Sequence, residues 1–191
     1  MSRAYWVKLS SSVVETINAS DRATHRIQLD AVVPEGEMDQ ILEGALEESG
    51  WEKDGDKRFR KTVDGVELVW DLDKGVVEAT AEASQEVARE VQVEGRAYSQ
   101  DAAQQQAERQ LQQREQQTRD AIGSEQEQLQ KKLTKKLGDN EQERVREING
   151  VLQKAYTEGL KRKARRMGNV TSIQEGTSAE GEYQLTITIS E

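Results

Sequence analysis

From Ser99 to Met167 the chain has no proline and a single aromatic residue, Tyr156, while twelve glutamines fall between Gln100 and Gln130. Nothing else in the sequence restricts the fold as much. Gln, Glu, Lys, Arg and Ala favour helix, and none of the charged or amide residues fills a core, so the stretch predicts long helices with a narrow apolar face. Leu111, Thr118, Ile122, Leu129, Leu133 and Leu137 form a first seam, repeating closer to eleven residues than to seven. Ser99 or Asp101 can cap its start. Gly123 with Ser124 and Glu127, a capping-box pattern, predicts a kink or break. Gly138 closes the first helix and Asn140 with Glu143 opens a second, with Val145, Ile148, Leu152, Tyr156, Leu160 and Met167 as its seam. A short turn between two such helices predicts an antiparallel hairpin that serves as an arm.

On either side of this stretch the habit changes to alternating short runs. Tyr5, Val7, Leu9, Val13 and Ile17 have period two, Asn18 to Asp21 reads as a turn, and His25, Ile27, Leu29, Ala31 and Val33 resume the alternation. Pro34 starts a helix whose Met38, Ile41, Leu42, Ala45 and Leu46 share one face, and Gly50 ends it. Turns follow at Asp54-Gly55, Asp64-Gly65 and Asp73-Lys74-Gly75, separating a strand around Arg58–Lys61 from Val66–Leu72 and from Val77–Ala83. Residues 85–98 suit strand or helix, with a long edge strand favoured. A loop with Gly176 and Gly181 leads to the clean strand Tyr183–Ile189. The expected fold class is α+β: an antiparallel sheet body with one packed amphipathic helix and an inserted long antiparallel helical hairpin. The expected organisation is a body over 1–98, an arm over 99–168, and a C-terminal strand over 169–191 returning to the body sheet.

Composition narrows the chemistry. The net charge of −9 is carried by residues 1–100, which hold 21 acidic and 12 basic side chains. An acidic body lacks the positive footprint that general nucleic-acid affinity requires. With no cysteine and one histidine, thiol catalysis, disulfides, Cys/His metal sites and histidine triads are excluded. No apolar run approaches the roughly 20 residues that span a bilayer, and no signal-peptide core is visible, so a cytoplasmic protein is expected.

Asp71 to Gly75 resembles the start of a calcium loop, but a valine-rich strand follows where further oxygen ligands are needed, so a hairpin turn is preferred. Glu35, Glu37, Asp39, Glu43, Glu47 and Glu48 read as the solvated face of a helix. His25 reads as structural, and no glycine-rich phosphate loop is present. No catalytic, cofactor-binding or metal-binding residue is expected, and no cofactor. Lys161, Arg162, Lys163, Arg165 and Arg166 form the one basic run, which suits a helix C-terminus and could also grip an acidic partner. Trp51 and Trp70 read as core. Trp6, on the face opposite Tyr5 and Val7, is the expected exposed aromatic and a candidate contact residue.

Several short segments carry a resemblance. Arg3-Ala4-Tyr5, the Pro34–Gly50 helix running into Trp51-Glu52-Lys53-Asp54-Gly55, Glu67–Leu72, and Glu94-Gly95-Arg96-Ala97-Tyr98 before a charged helix are similar to a bacterial accessory-domain family of FtsH ternary systems. In these systems genes for a MoxR-type AAA+ ATPase, a vWA protein and an FtsH-like protease travel together. The resemblance implies a non-catalytic, protein-binding adaptor of a multi-protein system, with an AAA+ ATPase or vWA protein as partner. It brings no active-site signature. A homo-oligomer built through the arm, or weak nucleic-acid binding through residues 161–166, are the alternatives.

Overall fold

The computed structural model describes residues 4–177 and 183–190; Arg3 and Gly181 lie outside them. The elements run β1 (Tyr5–Arg26), α1 (Glu35–Glu48), β2 (Glu52–Lys53), β3 (Arg58–Val63), β4 (Val66–Asp71), β5 (Val76–Ala97), α2 (Gln100–Asp139), α3 (Glu141–Met167), β6 (Asn169–Thr177) and β7 (Tyr183–Ser190). The class is α+β, with a five-stranded antiparallel sheet in the order β1-β5-β4-β3-β2 and a separate two-stranded sheet, β6-β7. The chain forms two compact units, residues 1–21 with 81–136 and residues 22–80 with 137–191.

The first unit is a two-stranded ribbon with one helix laid along it. β1 and β5 each have 22 residues against six in β3 and β4, so they continue together after β4 has ended. Val13, Ile17, Val87 and Val91 face one side of this ribbon and bury Ile122 of α2, with Leu111 and Leu129 packed around them. Ala103 and Ala107 are fully buried near the start of the helix. A Cβ on Gly95 would lie 2.0 Å from the Ala103 carbonyl and 2.8 Å from the Ala107 nitrogen. Only glycine allows helix and strand backbones to approach that closely.

Glutamine finds a use here. Gln126 and Gln130 donate their side-chain amides to the Asn18 and Ser20 carbonyls at 3.1 and 2.8 Å. Residues four apart on a helix rise about 6 Å, and residues two apart on a strand advance about 6.7 Å, so one ladder of amides can meet one ladder of carbonyls.

The second unit holds the larger core. Met38, Ile41, Leu42 and Leu46 of α1 are buried, as are Phe59, Val66, Leu68, Trp70 and Val77 of the strands. Trp51 and Trp70 meet edge to face at 5.6 Å. α3 turns Ile148, Val151, Ala155 and Gly159 inward, and a Cβ on Gly159 would strike Val32 at 2.6 Å and approach Met38 at 3.3 Å.

Several expectations are corrected. No turn interrupts residues 18–21: β1 runs unbroken to Arg26, because Asn18 and Ser20 point to the exposed side of an already paired strand. Residues 28–33 are not strand. α2 does not break at Gly123, and Ser124 donates to the Asp120 carbonyl one turn back instead of capping a new helix. Asn140 makes no side-chain cap. The stripe of α2 faces a ribbon instead of standing out as a free rod, and that of α3 passes through Val151 and Ala155, leaving Val145, Leu160 and Met167 exposed. The C-terminal strand does not rejoin the main sheet. It pairs with β6, which lies where a loop around Gly176 was expected and whose bulge between Val170 and Ser172 breaks the period-two signal.

The Asp64-Gly65 hairpin is as expected, with both residues at positive φ (50° and 69°) between paired Val63 and Val66. Asp64 also stands beside Glu143, whose carboxyl is held above its ordinary range by a hydrogen bond shared with the Asp64 carboxyl and by the charge of that neighbour. Because Glu143 ionises less readily in the folded chain, the pair costs stability at neutral pH and the cost fades as pH falls below the carboxylate range. Asp64→Asn removes the neighbouring charge, offers an amide donor to the ionised Glu143 and suits the left-handed turn. It should raise the melting midpoint by about one to two degrees at pH 7 and by less at pH 4, as read by circular dichroism.

Candidate interaction surface

In the second unit, α1, α3 and the β6-β7 hairpin border an open cleft of about 500 Å³, lined by Gln40 and Gly44 on one side and Lys154, Thr157 and Lys161 on the other. The cleft is crossed by pairs that satisfy one another. Lys161 is bonded to Glu175, whose other oxygen accepts from the Tyr183 hydroxyl at 3.0 Å. Thr157 donates to that same hydroxyl oxygen at 3.1 Å. The bond to Glu175 raises the Lys161 ammonium above its usual range, and Lys161 and Tyr183 together lower the Glu175 carboxyl. Both groups therefore stay charged across the neutral range, which suits a fixed contact and not a proton-transferring pair.

The basic run divides. Arg162 bonds Glu158 at 3.0 Å and lies 3.6 Å from Glu37, and Arg166 also bonds Glu37. Lys161, Arg162 and Arg166 are thus used within the unit to tie α3 to α1 and to β6. Lys163 and Arg165 are exposed and have no ion pair among the described residues. The helix spacing explains the division: residues 158, 162 and 166 lie four apart on the side facing α1, while 163 and 165 point elsewhere.

The acidic residues of α1 are partly engaged too, Asp39 with Lys57 and Glu43 with Lys53, besides Glu37. The Asp71 carboxylate is engaged within its own turn. Lys74 bonds its carboxylate from both the backbone and the side chain, Arg58 stands 4.0 Å away, and these cations lower its pKa. His25 is half-buried in β1, with Nε2 enclosed and unbonded among the described residues.

Trp6 belongs to the first unit, and the basic run to the second. It is 58% exposed, against 3% for Trp51 and 1% for Trp70. The Arg96 guanidinium of the neighbouring strand covers part of its ring at 4.9 Å, and beside it Lys8 pairs with Glu94 at 2.7 Å.

One residue left no mark in the sequence. Arg144, in the first turn of α3, is 2% exposed, with Nε and Nη1 lacking hydrogen-bond partners among the described residues. Desolvation lowers its pKa, partly offset by Glu141. A charged residue followed by Val145 and Ile148 reads as surface, and only packing reveals that it is enclosed.

Among the described residues no helix is long and apolar enough to cross a membrane, and no three His, Asp or Glu side chains cluster to hold a metal. The family model described as FtsH ternary system domain X5 matches residues 1–190. No curated protein and no solved structure matches the chain.

Proposed function

Since this chain belongs to the FtsH ternary system domain X5 family, we propose that it acts there as a non-catalytic adaptor that docks on an acidic surface of a protein partner, an AAA+ ATPase or a vWA protein of the same system. Membership makes it a component of such a system. The observation that carries the adaptor reading is the division of the basic run: three cations fix the unit internally and two, Lys163 and Arg165, are presented outward. The charged pairs of the adjoining cleft are mutually satisfied, which favours a rigid contact surface over a reacting one.

Nucleic-acid binding is disfavoured by the same division, because it leaves two cations of the run for phosphate on a chain of net charge −9, and two contacts release few counterions. The test is co-purification from the native host of the tagged full chain and of Lys163→Glu/Arg165→Glu. Loss of the ATPase or vWA partner with an unchanged melting curve supports the reading. Retention of every partner by the doubly reversed chain would count against it. Reversing two rim charges should slow association about ten-fold or more at low salt, and less as salt rises.

A further inference from the structure

Among the described residues β1 ends the sheet, with β5 as its one neighbour. The Ile27 N–H donates to the Gly75 carbonyl at 2.8 Å, so odd-numbered residues along β1 turn their backbone groups to β5 and even-numbered ones turn theirs to the open edge. The glutamine bonds agree, since they reach the carbonyls of Asn18 and Ser20. Those bonds close the edge only at that end. From Trp6 to Thr16 no side chain bonds the outward backbone groups among the described residues.

An open edge of this length is a template for another strand unless charge, proline or a bulge blunts it. Here Tyr5–Val14 reads Tyr-Trp-Val-Lys-Leu-Ser-Ser-Ser-Val-Val, with one charge and no proline. Two large apolar side chains on its even face are left exposed, Trp6 at 58% and Val14 at 56%. They lie four residues to either side of Ser10.

We propose that this edge pairs with β1 of a second copy of the chain, antiparallel and centred on Ser10, so that the protein is a two-fold dimer. The register follows from three constraints. Edge-to-edge pairing must set even residues against even residues. A two-fold axis makes each residue's opposite number the reflection of its position. Centring on Ser10 then sets Trp6 against Val14 of the other copy, twice, and Lys8 against Ser12, so no like charges meet. Both exposed apolar groups are covered by each other, and about ten ladder hydrogen bonds form. The pairing ends before Asn18, where the glutamines already occupy the edge. A foreign strand has no such reason to match both Trp6 and Val14, which is why a second copy is preferred. The proposal uses β1 alone and stands or falls apart from the role of Lys163 and Arg165.

The chain has no cysteine, so single substitutions report the register directly. In the full-length chain, Ser10→Cys places two thiols opposite each other at about 5.5 Å between α-carbons, within disulfide reach. Ser12→Cys sets its thiol against Lys8. Mild oxidation should cross-link the first within minutes and the second at least ten-fold more slowly. Sedimentation from about one to about a hundred micromolar should show a dimer that Trp6→Lys or Val14→Lys weakens at least ten-fold in Kd. Circular dichroism verifies that each variant is folded, since the altered side chains are exposed. A monomer at every concentration overturns the proposal, including one that takes up an extended peptide. So does a dimer indifferent to Trp6→Lys and Val14→Lys, or one whose Ser12→Cys form cross-links as fast as Ser10→Cys.

Discussion

Gly95→Ala should destabilise the ribbon-and-helix unit by about 3 kcal/mol, the upper end of overpacking costs, despite adding a single methyl group. The new Cβ would fall 2.0 Å from the Ala103 carbonyl and 2.8 Å from the Ala107 nitrogen. Both are helix backbone, so neither can swing aside as a side-chain tip would. The start of α2 must lift from the ribbon, which uncovers Ala103 and Ala107 and strains the contacts of Leu111. Urea unfolding followed by far-ultraviolet circular dichroism measures the loss, and hydrogen exchange over residues 100–111 locates it. An unchanged midpoint would mean that helix and ribbon do not approach as closely as described. Gly123→Ala, at an open position in the same helix, should instead stabilise by up to about 1 kcal/mol through helix propensity.

Trp70→Ala should cost the other unit about 3–5 kcal/mol. Trp70 is 1% exposed near the end of β4, packed edge to face on Trp51, in a core that also holds Phe59 and Leu68. Truncation opens a cavity, and strands on both sides of β4 prevent its collapse. Trp70→Phe keeps an aromatic group against Trp51 and should lose roughly half as much. The measurement is guanidinium unfolding monitored by tryptophan fluorescence. Since Trp51 also donates its indole N–H to Glu147 of α3 at 3.1 Å, a loss confined to the strands, with α3 unaffected in hydrogen exchange, would contradict the packing described.

The sequence was most legible where one residue's backbone preference decides the outcome. Gly50, Gly55, Gly65 and Gly75 mark turns at positive φ, and all four follow directly from glycine's tolerance of that region. The face of α1 follows from its spacing, and the family from short segments spread along the chain. Legibility failed where the partner of a surface decides. Asn18 to Asp21 have turn chemistry, yet a neighbouring strand and a helix hold them extended. The narrow stripe of α2 says that something covers it, but spacing alone does not distinguish a facing helix from a ribbon. Ala103 and Ala107 carry no apolar signal strong enough to declare themselves, and the glycine that demands them sits on β5. In the basic run, local spacing hints at two faces, but the acids that claim Lys161, Arg162 and Arg166 come from α1, α3 and β6.

The neutral side-chain ladder on β1 has a consequence for how the two units respond to their medium. Amide-to-carbonyl bonds carry no net charge, so acid does not titrate them and dissolved ions scarcely screen them. The Lys161–Glu175 contact between α3 and β6, by contrast, is made of opposite charges near water, which salt weakens and which acid removes as it protonates the Glu175 carboxylate. Brine or acidification should therefore loosen the α3–β6 contact while the two glutamine bonds on β1 keep their grip.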